Sequence, residues 1–82
     1  MIVRLRVSGA YAKCLPSPAA DNRGEIEVDE GATPQLIMSR LGFPDGAYLI
    51  SVNGTAVPKA ERATRELEDG DELAILVPLR GG

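Results

Sequence analysis

The feature that most constrains the fold of this sequence is a single short helix. Specific residues signal both its start and its end, and strand-like segments lie on either side of it. Thr33 can cap the free backbone N–H groups at the start, and Pro34 suits the first helical position. Gly42 and Pro44 predict the end. The side chains expected to form its buried stripe are Leu36, Ile37 and Leu41. A helix of about two and a half turns is marginal alone, so it must pack on a sheet.

Four segments alternate apolar and polar residues at the two-residue period of a half-buried strand, two before the helix and two after it. Their apolar positions are Val3, Leu5, Val7, Ile26, Val28, Tyr48, Ile50, Val52, Leu73, Ile75 and Val77. This order predicts an α+β fold in which one main helix lies across a mixed sheet of four to five strands.

The connections between these segments carry recognisable signals. The first two strands can pair so that exposed Arg and Glu side chains face one another. Tyr11, Cys14 and Leu15, at helical spacing, predict a short helical turn that ends at Pro16. Asn53-Gly54 and Asp69-Gly70 predict tight turns, and Leu67 is expected to fill the core between them.

Composition excludes several classes of function. The chain has 82 residues, 44% of them hydrophobic, which suits one small domain. Its net charge is −3 and its basic residues are scattered, so we expect no nucleic-acid partner. We also expect no membrane association and a cytoplasmic location, because no apolar run of about 20 residues occurs and the N-terminus enters a strand pattern. With one cysteine and no histidine, no metal site is expected.

The sequence ends in Leu79-Arg80-Gly81-Gly82, directly after the last strand pattern. We therefore divide it into a domain over residues 1–78 and a flexible tail over residues 79–82. Glycine lacks a Cβ, so a Gly-Gly end can enter a channel too narrow for other residues. Four extended residues reach about 13 Å, enough to carry a carboxylate into a partner's buried site.

Four motifs together resemble the MoaD/ThiS family of ubiquitin-like sulfur carriers. They are Gly31-Ala32-Thr33, Val52-Asn53-Gly54, the run from Leu67 to Ile75 and the terminal Gly81-Gly82, and they come in the family's order along nearly the whole chain. The resemblance implies a ubiquitin-like β-grasp fold. The length favours the MoaD-like branch, that is, the small subunit of molybdopterin synthase in molybdenum or tungsten cofactor biosynthesis.

The resemblance also implies the chemistry of the tail. An adenylating enzyme of the ubiquitin-activating type would transfer AMP from ATP to Gly82, and a persulfide donor would then convert Gly82 to a thiocarboxylate. Leu79, Arg80 and Gly81 would thread the tail into the partner. The chain would bind no cofactor, since the activating partner uses the ATP. It would be a carrier and not an enzyme on its own, donating sulfur within a complex with a larger synthase subunit.

Strand alternation also predicts a docking face. If the apolar positions face the helix, then Leu49, Ala74 and Leu76 lie on the opposite face, next to the tail. Clustered exposed apolar side chains suit the docking of a partner.

Other functions stay open at this point. The sulfur could go to thiamine thiazole, cysteine or another metabolite. The last four residues also match the ending of ubiquitin, so conjugation of Gly82 to lysines is an alternative. A plain interaction domain is a third class, and autonomous catalysis is weakest because the chain lacks histidine.

Overall fold

The element order of the protein follows the predicted alternation, as a computed structural model shows for residues 1–16 and 21–77. The strands are β1 (Ile2–Val7), β2 (Arg23–Glu27), β3 (Leu49–Val52), β4 (Thr55–Ala56) and β5 (Glu72–Leu76), and the α-helix is α1 (Pro34–Leu41). Short 3₁₀ helices cover Gly9–Cys14 and Lys59–Glu61. The first of these is the helical turn predicted before Pro16.

All five strands form one sheet in the order β2-β1-β5-β3-β4. The central pair β1 and β5 is parallel, whereas the other neighbours are antiparallel. Within the described residues, a mixed five-stranded sheet with one α-helix confirms the predicted α+β class and the ubiquitin-like β-grasp fold. Because β5 comes last in sequence yet lies in the middle of the sheet, the described part of the chain ends at the sheet centre and not at an edge.

The α1 helix begins and ends where the sequence predicts. The Thr33 hydroxyl accepts a hydrogen bond from the Leu36 backbone N–H at 3.3 Å, and Pro34 occupies the first helical turn. Gly42 ends the helix in the left-handed region, with φ of 79°, where a residue with a Cβ would be strained.

The predicted buried stripe of α1 was wrong at one position. Leu36 is 53% exposed, whereas Met38, which the prediction omitted, is buried. Burial of Pro34 sets the phase of the helix, and the positions that follow it on the same face are i+3, i+4 and i+7. These are Ile37, Met38 and Leu41, so Leu36 falls outside the face that contacts the sheet.

The inward strand positions build the core as expected. Val3, Leu5, Ile50, Leu73 and Ile75 are buried, and they belong to one hydrophobic cluster with Ile37 and Met38. Leu67 also fills this core, as predicted. Val77 does not, because β5 ends at Leu76 and the Val77 side chain is 39% exposed.

The register of β1 and β2 confirms only part of the predicted charge pairing. Arg4 lies opposite Glu25. Arg6, however, lies opposite Arg23 and not opposite a glutamate, because β2 begins with that arginine. The sheet face opposite α1, called the outer face below, therefore carries two arginines side by side.

In the described part of the chain, no helix combines the length and the apolar character needed to cross a bilayer.

Candidate functional site

The end of β5 is held by Ser8, a residue that the sequence patterns did not single out. The Ser8 hydroxyl accepts a hydrogen bond from the Val77 backbone N–H at 2.8 Å, and the Ser8 N–H donates to the Ile75 carbonyl oxygen at 3.2 Å. Ser8 follows β1 directly, so the parallel pairing of β1 and β5 brings it there. These two bonds hold Val77, the last described residue before the predicted tail, beside Ser8.

The predicted tail, Leu79, Arg80, Gly81 and Gly82, lies outside the described residues, as do Pro78 and the loop at positions 17–20. The role of Gly82 as the reacting residue and the threading role of the other three therefore stay predictions. The site can be described up to Val77, two residues before the predicted tail.

Leu49 and Leu76 form an apolar patch beside this point, called the Leu49–Leu76 patch. The two residues are cross-strand partners in the antiparallel β3–β5 pair. Leu49 is 57% exposed and Leu76 is half-buried. A shallow groove of about 420 Å³ runs from this pair along β3, lined also by Ser51, Ala56 and Pro58. The structure thus brings together two of the three residues predicted for docking, on an accessible surface.

Ala74, the third predicted docking residue, lies on the same outer face but is only 2% exposed. It pairs with Ser51 on one side and with Arg6 on the other. Ala74 therefore offers a partner almost no surface of its own.

At the same end of the sheet, on the side that faces α1, the chain's three aromatic residues pack together. The ring centroids of Tyr11, Phe43 and Tyr48 lie 5.5 to 5.9 Å apart, in tilted and edge-on arrangements that favour aromatic contact. The Tyr48 hydroxyl donates to the Pro44 carbonyl oxygen at 2.5 Å. Burial, and then the neighbouring Tyr11, raise the pKa of Tyr48 to about 12. Tyr48 is therefore a neutral structural group at physiological pH.

Arg62 ties this cluster to the groove of the Leu49–Leu76 patch. Nη2 of Arg62 donates to the Tyr48 carbonyl oxygen at 2.7 Å, and the Arg62 side chain also lines the groove. No sequence pattern pointed to Arg62, because its partner is a backbone group 14 residues away.

Two residues of the acidic turn before β5, Asp69 and Asp71, have a structural role. The Asp71 carboxylate accepts from the Asn53 side chain and from the Glu68 N–H, both at 2.8 Å. The Asp69 carboxylate accepts from the Ile2 N–H at 2.6 Å. These bonds anchor the start of β5 at the end of the sheet opposite Val77.

The side chains of the described residues contribute no evident catalytic group at the root of the tail. Cys14 is half-buried in the 3₁₀ helix and forms no disulfide. Within residues 1–16 and 21–77, no group of three or more His, Cys, Asp and Glu side chains is placed to hold a metal ion. The described part of the site consists of the hydrogen-bonded end of β5 and an apolar surface next to it.

Comparisons with known proteins agree with this geometry. The ThiS family model matches residues 14–82. A search of curated proteins finds no match. Among solved structures, a chain from the protein–protein complex of subunits 1 and 2 of molybdopterin-converting factor from Helicobacter pylori 26695 is similar over 100% of both chains, with 22% identity and a TM-score of 0.61. At that identity the similarity supports the fold, whereas the family match covers most of the chain and reaches its last residue. The protein belongs to the ThiS family of small sulfur carriers.

Proposed function

We propose that this protein carries sulfur as a thiocarboxylate on Gly82 and serves as the small subunit of a molybdopterin synthase. The observation that carries the proposal is the family match, which runs through to Gly81-Gly82. The described structure supports it, because β5 ends at the centre of the sheet next to the Leu49–Leu76 patch. A tail that starts there can enter a partner's site while the patch contacts that partner.

The terminal carboxylate needs activation before it can accept sulfur. An α-carboxyl group with a pKa near 3.5 is ionised at neutral pH and is a poor electrophile. Attack of a Gly82 carboxylate oxygen on the α-phosphorus of ATP would release pyrophosphate and leave an acyl adenylate. The terminal sulfur of a persulfide would then attack the Gly82 carbonyl carbon and displace AMP. A thiol that reduces the resulting acyl disulfide would leave the thiocarboxylate.

Three partners follow from this chemistry. The first is an adenylating enzyme of the ubiquitin-activating type, which binds the ATP. The second is a persulfide donor, and the third is a larger synthase subunit that holds the acceptor. The solved neighbour supports the third, since it is one member of a two-subunit complex. Within this assembly the chain contributes the tail and the docking face, and the catalytic side chains belong to its partners.

Sulfur delivery to thiamine thiazole is the second candidate. The matching family model is that of ThiS, while the structural neighbour belongs to a molybdopterin-converting factor, so the two comparisons favour different branches of the same carrier chemistry. The acceptor enzyme that copurifies with the tagged chain distinguishes the two branches. Conjugation of the chain to lysines would instead give adducts of high mass in cell extracts.

Exchange of labelled pyrophosphate into ATP tests the activation step. The purified chain is mixed with a ubiquitin-activating-type enzyme from the same source. We expect exchange with the wild-type chain and none after deletion of Gly82, whereas the fold, monitored by the melting temperature, stays unchanged. Equal exchange by the truncated chain would contradict activation at Gly82.

A further inference from the structure

The hydrogen bond between Ser8 and Val77 stands where a backbone bond of the sheet is expected. β1 and β5 are parallel, and Val7 lies opposite Ile75 at the end of their pairing. The Ser8 N–H continues this pairing by donating to the Ile75 carbonyl oxygen at 3.2 Å. Bonds between parallel strands are evenly spaced and run alternately in the two directions, so the next one would join the Val77 N–H to the Ser8 carbonyl oxygen.

The Ser8 carbonyl oxygen instead serves the 3₁₀ helix over Gly9–Cys14. It accepts from the Tyr11 N–H at 2.8 Å. The Ser8 hydroxyl takes its place in the sheet and accepts from the Val77 N–H at 2.8 Å. A serine just before a helix usually caps that helix with its hydroxyl, but among the described N–H groups Ser8 makes no such cap bond. The side chain of Ser8 is thus used to extend β5 by one bond.

The backbone of Val77 is restricted from both sides. Its N–H is bound to Ser8, and the next residue in the sequence is Pro78, which disfavours a helical conformation at the residue before it. Proline has no N–H. The Val77 N–H is therefore the last backbone donor before the predicted tail over residues 79–82, and Ser8 is the residue that holds it.

Resting on the carrier function proposed above, we infer that Ser8 is a positioning residue for the activation of Gly82. Its hydroxyl holds the Val77 N–H and so sets the direction in which the chain continues toward the adenylating site. Because Val77 is already ordered in the free chain, less conformational entropy is lost when the tail enters that site. Ser8 acts through Val77 in this role and takes no part in the chemistry.

The same bond contributes little to the stability of the domain. The bond lies at the surface and Val77 is 39% exposed, so water can take the place of a missing hydroxyl. Ordering the backbone of one residue corresponds to about fivefold or more in affinity, of which a single surface bond supplies a part. Loss of the Ser8 hydroxyl should therefore affect the reaction of the tail more than it affects folding.

Two measurements on the full chain test this role. One is amide hydrogen exchange by NMR, and the other is pyrophosphate exchange by the adenylating enzyme at varied concentrations of the chain. Ser8→Ala removes the hydroxyl. Ser8→Thr keeps it, on an extended backbone with φ of −65° and ψ of 146° that suits a β-branched residue. Ser39→Ala, at an exposed serine of α1, is the control.

We expect the Val77 N–H to exchange faster in Ser8→Ala than in wild type, with the melting temperature and the exchange of the Leu73 N–H close to wild type. The KM for the chain should rise about threefold to tenfold at unchanged kcat, since the lost ordering is needed equally in the bound state and the transition state. Ser8→Thr should restore both values, and Ser39→Ala should match wild type. A purely structural loss would instead lower the melting temperature and speed exchange at Leu73.

Equal exchange of the Val77 N–H in wild type and Ser8→Ala would overturn the inference. An equal KM for these two chains, when both are activated, would overturn the positioning role of Ser8 and leave the carrier function in place. Absence of pyrophosphate exchange with the wild-type chain, by an enzyme that is active on its other substrates, would overturn the carrier function and the role of Ser8 with it.

Discussion

The side chains of Asn53 and Asp71 are hydrogen-bonded to each other across the end of the sheet, with Asn53 Nδ2 donating to Asp71 Oδ1 at 2.8 Å. Asn53 Oδ1 also accepts from the Glu72 N–H at 2.9 Å. Asn53 therefore connects the β3–β4 turn to the start of β5. Two of the motifs that identify the family, Val52-Asn53-Gly54 and the acidic turn, meet in this contact, so their role in the described structure is to hold the fold.

Replacing Asn53 with Ala should destabilise the domain by about 1–3 kcal/mol, measured by urea denaturation. The variant loses both side-chain bonds, and the backbone of Asn53 has a positive φ of 52°, which alanine tolerates poorly. Asn53→Gly is the matched control, because it accepts this φ but lacks the side chain. The two variants should differ by the backbone strain alone, and full stability in both would show that the contact contributes nothing.

Replacing Leu49 with Asp should weaken binding of the adenylating enzyme by about tenfold or more, with little change in stability. Leu49 is more than half exposed, so the folded domain accepts the charge, but a docked partner would have to bury it. Leu36→Asp provides the control, as Leu36 is similarly exposed but lies on α1, across the sheet. If both variants bind like wild type, the Leu49–Leu76 patch is not the docking face.

Stability should fall at high pH because of Tyr48. Its pKa is raised to about 12 in the folded state from a value near 10 in the unfolded chain, so the unfolded state loses its proton first. The stabilisation from the neutral hydroxyl is complete below pH 10 and is lost as the pH rises from about 10 to 12. Its size is about 2–3 kcal/mol.

A Tyr48→Phe variant checks this linkage by denaturation at several pH values. It should be less stable than wild type near pH 8, because the hydrogen bond to Pro44 is gone. Between pH 10 and 12 its stability should fall less steeply than that of the wild type. Parallel curves for the two proteins would assign the alkaline loss to other groups.

Local signals in the sequence predicted much of the fold. The cap at Thr33, the stop at Gly42 and the turn at Asn53-Gly54 each depend on backbone geometry that one or two residues determine, and all three lie as predicted. The strand alternation likewise placed Leu5, Leu73 and Ile75 in the core.

Features that depend on register were harder to predict. The exposure of Leu36 follows from the phase of the helix on the sheet, which a short apolar stripe does not define. Predicting the pairing of Arg6 with Arg23 requires knowing which residues of the two strands face each other. The 16 residues between those two arginines do not determine that register. The Ser8 contact depends on the parallel pairing of the first and last strands, which no local pattern reveals.

The measurement that tests the central claim most directly is the intact mass of the chain after incubation with its adenylating enzyme, ATP and a persulfide donor. We predict a gain equal to the exchange of one oxygen for sulfur, located on Gly82 by fragmentation and absent when Gly82 is deleted. An unchanged mass with an enzyme that is active on its other substrates, or sulfur found on Cys14 instead, would contradict the account of this chain as a thiocarboxylate carrier.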